Sequence, residues 1–181
     1  MIATNFNELQ DCFVKKDDFG FENDEHLQFE KNVEADSDGT LCTGYFLRGT
    51  DKLHKRGQKI WQDGSHYEGD FTNGKAEGRG FFVDSKNGFL FVGEWKEDKI
   101  DGQGKLTQLN GSYYHGNWKD DAQDGFGQEV WADESKYTGF YHLGMKHGHG
   151  EFQLKNGSSY EGEWRSDIRE GKGIEKDTSG R

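Results

Sequence analysis

Apolar and polar positions alternate along this chain in short runs, and small turn residues separate the runs. In the stretch YEGEW at residues 160–164, Tyr160, Gly162 and Trp164 take every second position, with Glu161 and Glu163 between them. Positions i, i+2 and i+4 of a strand share one face. The pattern therefore predicts a half-buried strand with both rings on one side and both glutamates toward solvent. The intervening glycine leaves a slot for a neighbouring ring. A short variable polar segment follows (RSDIRE here; TNGKAE, KEDKID, KDDAQD and HLGMKH elsewhere), as expected of a hairpin loop. The Asn73-Gly74 pair is itself a tight-turn signal. After the loop, Gly171 and Gly173 share one face of a returning strand, opposite the rings. Apolar residues come two or four positions later: Phe82, Leu106, Phe152, Leu154, Trp61 and Trp131. Turns such as DG at 63–64 and NG at 87–88, 110–111 and 156–157 close each unit.

The unit recurs. Its central glycine falls at Gly69, Gly93, Gly116, Gly139 and Gly162, and its last at Gly57, Gly80, Gly104, Gly127, Gly150 and Gly173, a step of 23 or 24 residues in both columns. A fixed period of this size predicts a repeat array. One hairpin is marginal alone, so the units must stack and bury one another's rings. Two strands per unit give a rise of roughly 10 Å, and six units span about 55–60 Å. The expected fold is all-β, an elongated single-layer meander of stacked hairpins.

Composition agrees with a thin structure. Hydrophobic residues make up 30% of the 181, and mean hydropathy is −1.09. The 5 Trp, 7 Tyr and 14 Phe outnumber Leu, Ile and Val together, so a few large rings carry the apolar area. Formal net charge is −11. Residues 1–43 hold 11 Asp/Glu against 3 Lys/Arg, so most of the acidity is N-terminal. This balance argues against nucleic-acid binding, which needs a basic footprint. Neither an apolar leader nor a run long enough to span a membrane is visible, and the two cysteines fit a reducing compartment; an intracellular protein is expected.

The framework resembles the MORN repeat ("membrane occupation and recognition nexus"). Its YxGxW…GxxxGxG pattern stands here as Tyr67, Gly69, Phe71, Gly78 and Gly80; Phe91, Gly93, Trp95, Gly102 and Gly104; Tyr114, Gly116, Trp118, Gly125 and Gly127; Tyr137, Gly139, Tyr141, Gly148 and Gly150; and Tyr160, Gly162, Trp164, Gly171 and Gly173. A sixth, degenerate unit precedes these, with Cys42 and Phe46 in the ring columns, a loop two residues longer, and Lys55 in place of the first glycine of GxG. The division expected is an acidic segment over 1–37, with a helix over 5–16 marked by Phe6, Leu9, Phe13 and Val14, and an array over 38–181 that stops in register with one edge open. The resemblance implies a non-enzymatic scaffold that holds protein partners in a larger assembly, such as a ciliary, flagellar or cortical cytoskeletal complex. Its alternatives are a peripheral binder of anionic lipids and the regulatory region of a larger enzyme.

No residues stand out as catalytic, and no cofactor, metal or small-molecule substrate is expected. His142, His147 and His149 are the nearest approach to a metal cluster, but they fall in variable surface columns. Glu94 and Glu163 occupy equivalent columns and read as a repeated solvent face rather than a catalytic pair. A basic patch of Arg48, Lys52, Lys55, Arg56 and Lys59 is the candidate for an anionic lipid or an acidic partner.

Overall fold

The computed structural model describes residues 25–34 and 38–179. They form one antiparallel sheet of thirteen strands in sequence order, and no helix lies among them. The strands are β1 (Leu27–Glu34), β2 (Leu41–Leu47), β3 (Leu53–Ile60), β4 (His66–Thr72), β5 (Lys75–Asp84), β6 (Phe89–Lys96), β7 (Lys99–Gln108), β8 (Tyr113–Lys119), β9 (Ala122–Val130), β10 (Lys136–His142), β11 (Met145–Gln153), β12 (Ser159–Arg165) and β13 (Ile168–Lys176). The expected meander is the observed one. The helix expected over 5–16 lies outside the described residues. β1 extends the sheet upstream of residue 38: Leu27 pairs with Leu47 and Val33 with Cys42, and an extra residue bulges between Glu30 and Val33.

In each repeat the two columnar glycines face each other across the hairpin, as Gly69 faces Gly80 and Gly116 faces Gly127. The ring that covers them comes from the same repeat, not from a neighbour as the spacing suggested. A Cβ on Gly127 would sit 2.5 Å from Tyr114 Cζ, and one on Gly116 would sit 2.5 Å from the Gly127 Cα. Each tyrosine lies flat across its own glycine pair and donates its hydroxyl to a carbonyl three residues on: Tyr67 to Asp70, Tyr114 to Asn117, Tyr137 to Phe140 and Tyr160 to Glu163, at 3.0–3.1 Å.

The first glycine of GxG has a different task from the second. After each central glycine the register slips by two residues, taken up on the returning strand. The bulge places Gly78, Gly102, Gly125, Gly148 and Gly171 at φ between +64° and +115°, where side chains are disfavoured. A side chain from the opposite face caps the bulge: Asp70 accepts from the Arg79 amide at 3.1 Å, Glu94 from Gln103 at 2.9 Å, and Glu163 from Lys172 at 3.4 Å. In the degenerate repeat Lys55 adopts the same left-handed conformation, at φ +66°.

The variable polar segments resolve into two-residue turns with positive φ at both positions, Asn73-Gly74, Glu97-Asp98, Asp120-Asp121, Leu143-Gly144 and Ser166-Asp167, the form that matches strand twist. Three of these aspartates bind the preceding repeat reciprocally. Asp98 N–H donates to the Ala76 carbonyl while its carboxylate accepts the Ala76 amide at 2.7 Å; Asp121 does the same at Ile100 and Asp167 at Lys146. At the other edge a DGS, NGS or (at 133–135) DES turn folds on itself, with Asp63, Asn110, Asp133 and Asn156 each accepting from the serine amide two residues later.

Candidate functional site

One face of the sheet carries the rings. They form a zigzag of nine edge-to-face contacts at centroid distances of 5.0–5.5 Å. Tyr67 meets Phe71 and Trp95, Phe91 meets Trp95 and Trp118, Tyr114 meets Trp118 and Tyr141, Tyr137 meets Tyr141 and Trp164, and Tyr160 meets Trp164. Tyr67, Phe91, Tyr114 and Tyr137 are therefore each held between the second-column rings of their own repeat and the next, the geometry that aromatic quadrupoles favour. The indoles add a link backward, because Trp95, Trp118 and Trp164 donate to the carbonyls of Gly80, Gly104 and Gly150. Desolvation in this layer pushes the phenols of Tyr67, Tyr114, Tyr137 and Tyr141 well above the ordinary tyrosine range.

Beside the ladder runs an open groove of about 570 Å³, with Trp61, Phe82, Phe89, Trp95, Ile100 and Leu106 among its walls. Its polar atoms are already engaged: Lys59 Nζ donates to the Gly74 carbonyl at 2.9 Å, and Asp98 and Asp121 hold the backbone amides described above. Most of what remains to a ligand is apolar surface. Further along the same face Glu129 occupies the column held by Phe82, Leu106 and Phe152. It accepts the Tyr141 hydroxyl at 3.0 Å, and burial raises its carboxyl above the usual range.

The basic residues picked out by spacing do not form one surface. Arg56 projects to the opposite face, where its Nη1 lies 3.5 Å from Asp70, while Lys59 lies on the ring face, 5.6 Å from the Phe71 centroid. Strand alternation divides them. Arg48 sits in the β2–β3 loop, and Lys52 packs on the turn at Gly74. The histidines are likewise dispersed into local contacts: His142 Nδ1 lies 2.9 Å from Asp124, and its ring is edge-on to His147 at 5.7 Å. Among the described residues no group of three or more His, Cys, Asp or Glu is placed to hold a metal. The glutamate column of the second face is exposed at Glu161 and Glu163 as expected, but its member Glu68 is buried, and burial raises its carboxyl.

The MORN repeat model matches five consecutive segments, residues 67–89, 91–113, 114–136, 137–159 and 160–180, each containing one tyrosine or phenylalanine lying on its glycine pair. The chain belongs to the MORN-repeat family. The family is not an enzymatic one. The degenerate unit over 38–66 lies outside the matched segments, yet it has the same build: Gly44 opposes Gly57, and Cys42 and Phe46 fill the ring columns at 0% and 1% exposure.

Two curated relatives match part of the chain. An "inactive protein tyrosine kinase pTKL" of Plasmodium berghei is 35% identical over 57 residues, 32% of this chain, and its Plasmodium falciparum counterpart is 31% identical over 64 residues, 35% of this chain. The matched part is 4% of either relative's length. A solved structure of the Drosophila melanogaster SAS-4 TCP domain, in complex with a proline-rich motif of Ana2, aligns at TM-score 0.47 and 14% identity over 86% of both chains. No helix among the described residues is long and apolar enough to cross a membrane.

Proposed function

We propose that the chain is a non-catalytic scaffold that holds protein partners on its ring-bearing face. The observation that carries this reading is the groove between Trp61 and Trp118, whose walls are mostly apolar and whose charged side chains are bonded within the sheet. Such a surface suits apolar side chains of a protein better than a charged headgroup. Aromatic residues are also the ones enriched at the centres of protein interfaces. The family resemblance suggests a ciliary, flagellar or cortical cytoskeletal assembly.

The membrane alternative draws no support from the basic residues, because Arg56 and Lys59 lie on opposite faces. The reading as part of a larger protein draws on the two relatives, of which this chain spans a small fraction.

The test is paired. The full chain and a Phe89→Asp variant are compared for partner retention, and both are spun with vesicles containing anionic lipid at physiological salt. Phe89 is half-buried on the groove wall, so the variant keeps the ladder. The expected result is a partner retained by wild type and lost by the variant, with the vesicles bringing down neither. Sedimentation with vesicles that is abolished by Lys55→Glu with Arg56→Glu would replace this reading by the membrane one.

A further inference from the structure

The sheet has a second face, and the repeat supplies an internal control for reading it. The position after the central glycine holds Asp70, Glu94, Asn117 and Glu163 in four repeats and Phe140 in the remaining one. In three of them a carboxylate caps the bulge amide of the next strand. Phe140 has no group with which to do so. Its cross-strand partner is Phe126, where the equivalent positions hold Arg79, Gln103, His149 and Lys172. The two rings meet edge-to-face at 5.5 Å, and they remain 49% and 51% exposed. The fold gains little from an apolar pair here and gives up a capping bond, so the pair points to something that covers it.

The row beside this pair says what. Paired residues run across eight strands as Val92, Lys105, His115 and Gln128, then Thr138, Glu151, Glu161 and Ile174. A two-fold axis laid parallel to the strands, between β9 and β10, exchanges the two halves of this row. It brings Lys105 of one copy to Glu161 of the other, and His115 to Glu151. It brings Phe126 to Phe140. At the ends it brings Ile174, 61% exposed, to Val92, 38% exposed. Val92 borders a depression of about 540 Å³ with Lys105 and Glu94, and the same rotation sets Lys172 of the second copy beside that Glu94. Each of these pairings is opposite in charge, apolar with apolar, or hydrogen-bonding. A two-fold running across the strands instead sets Lys105 on Lys105 and Glu161 on Glu161, and it is disfavoured by repulsion.

We infer that the Phe126–Phe140 face is a homodimer interface, in which two copies stack sheet on sheet about a two-fold axis parallel to the strands. Such an interface is isologous, so one patch must complement itself, and this patch does. Sheets of like twist stack about 10 Å apart at an angle of about −30°. Eight strands at about 4.8 Å, with two side-chain rows about 6.8 Å apart, cover on the order of 500 Å² per copy. The total reaches the roughly 1,000 Å² that separates specific interfaces from adventitious ones. The ring face remains open on both outer sides, so this contact is independent of the partner groove.

The test is the mass of the full chain by sedimentation velocity at concentrations up to about 100 μM. The expected mass is twice the 20.7 kDa of one chain. Phe140→Asn, which restores the residue type of Asn117, is expected to keep the fold by circular dichroism and to run as a monomer. Lys105→Glu alone and Glu161→Lys alone are each expected to weaken association at least tenfold. An equimolar mixture of those two variants should dimerise again, because the heterodimer restores both charge pairs. Three results would overturn the inference: a monomeric wild type, a dimer indifferent to Phe140→Asn, or a mixture that associates no better than its components.

Discussion

Trp118 donates its indole N–H to the carbonyl of Gly104 across 3.2 Å, joining one repeat to the one before it. The same ring stands edge-on between Phe91 and Tyr114. One side chain thus supplies both the contact within a repeat and the contact between repeats. Trp118→Phe keeps the edge-to-face geometry and removes the hydrogen bond. It is expected to destabilise by about 1–2 kcal/mol, since it removes a buried hydrogen bond, and thermal unfolding of the two proteins measures the difference.

Glycines of this array are required for two separable reasons. A Cβ on Gly116 meets backbone at 2.5 Å and the Tyr114 hydroxyl at 2.6 Å, whereas one on Gly111 meets nothing within 4 Å and has only its φ of +86° against it. Gly116→Ala is expected to cost about 3 kcal/mol by overpacking. Gly111→Ala should cost about 1–2 kcal/mol by conformational strain. Equal melting temperatures would show that the tyrosine does not press on the glycine pair.

The same reasoning reverses at Lys55. Its φ of +66° is one that five other repeats assign to glycine. Lys55→Gly should therefore raise stability, by about 1 kcal/mol, a gain that denaturant unfolding can resolve.

Two classes of buried acid set the pH response. The phenols of Tyr67, Tyr114, Tyr137 and Tyr141 are raised, chiefly by desolvation. A raised folded value means that their contribution is intact below the unfolded value near pH 10 and is lost as pH climbs above it. Unfolding is expected to become progressively easier above about pH 10, and Tyr141→Phe should flatten that slope. Glu129 is likewise raised, first by desolvation, so its ionisation costs stability at neutral pH. Glu129→Gln still accepts the Tyr141 hydroxyl. It should be more stable than wild type at pH 7 and no different below about pH 4.

Much of this was legible in the sequence, because the features that repeat are the ones that pack. Tyr, Gly and Trp at i, i+2 and i+4 declared the strand, and the 23–24-residue step declared the stack. Which ring covers which glycine was not legible: Tyr114 and its neighbours in space share one column, and spacing cannot tell a residue's own repeat from the next. The bulge was hidden too, since Gly78 and Gly80 look alike until φ separates them. Asp98 and Asp121 lie in segments that vary between repeats, so their reciprocal bonds to Ala76 and Ile100 looked like loop polarity. The groove depends on Phe89 and Ile100, outside the motif altogether. β1 carries no framework residue, and its pairing with β2 could only come from the fold.

The most direct test of the central claim is a photo-crosslinking residue placed at position 106 on the groove wall, with a second version at the exposed turn position Ser166. Both versions of the full chain are irradiated inside the cell. A defined protein adduct from position 106, absent from position 166 and lost when Phe89→Asp is added, is the predicted result. Adducts to lipid alone, or protein adducts of equal yield from the two positions, would contradict the assignment of the ring-bearing face as the surface that holds a partner.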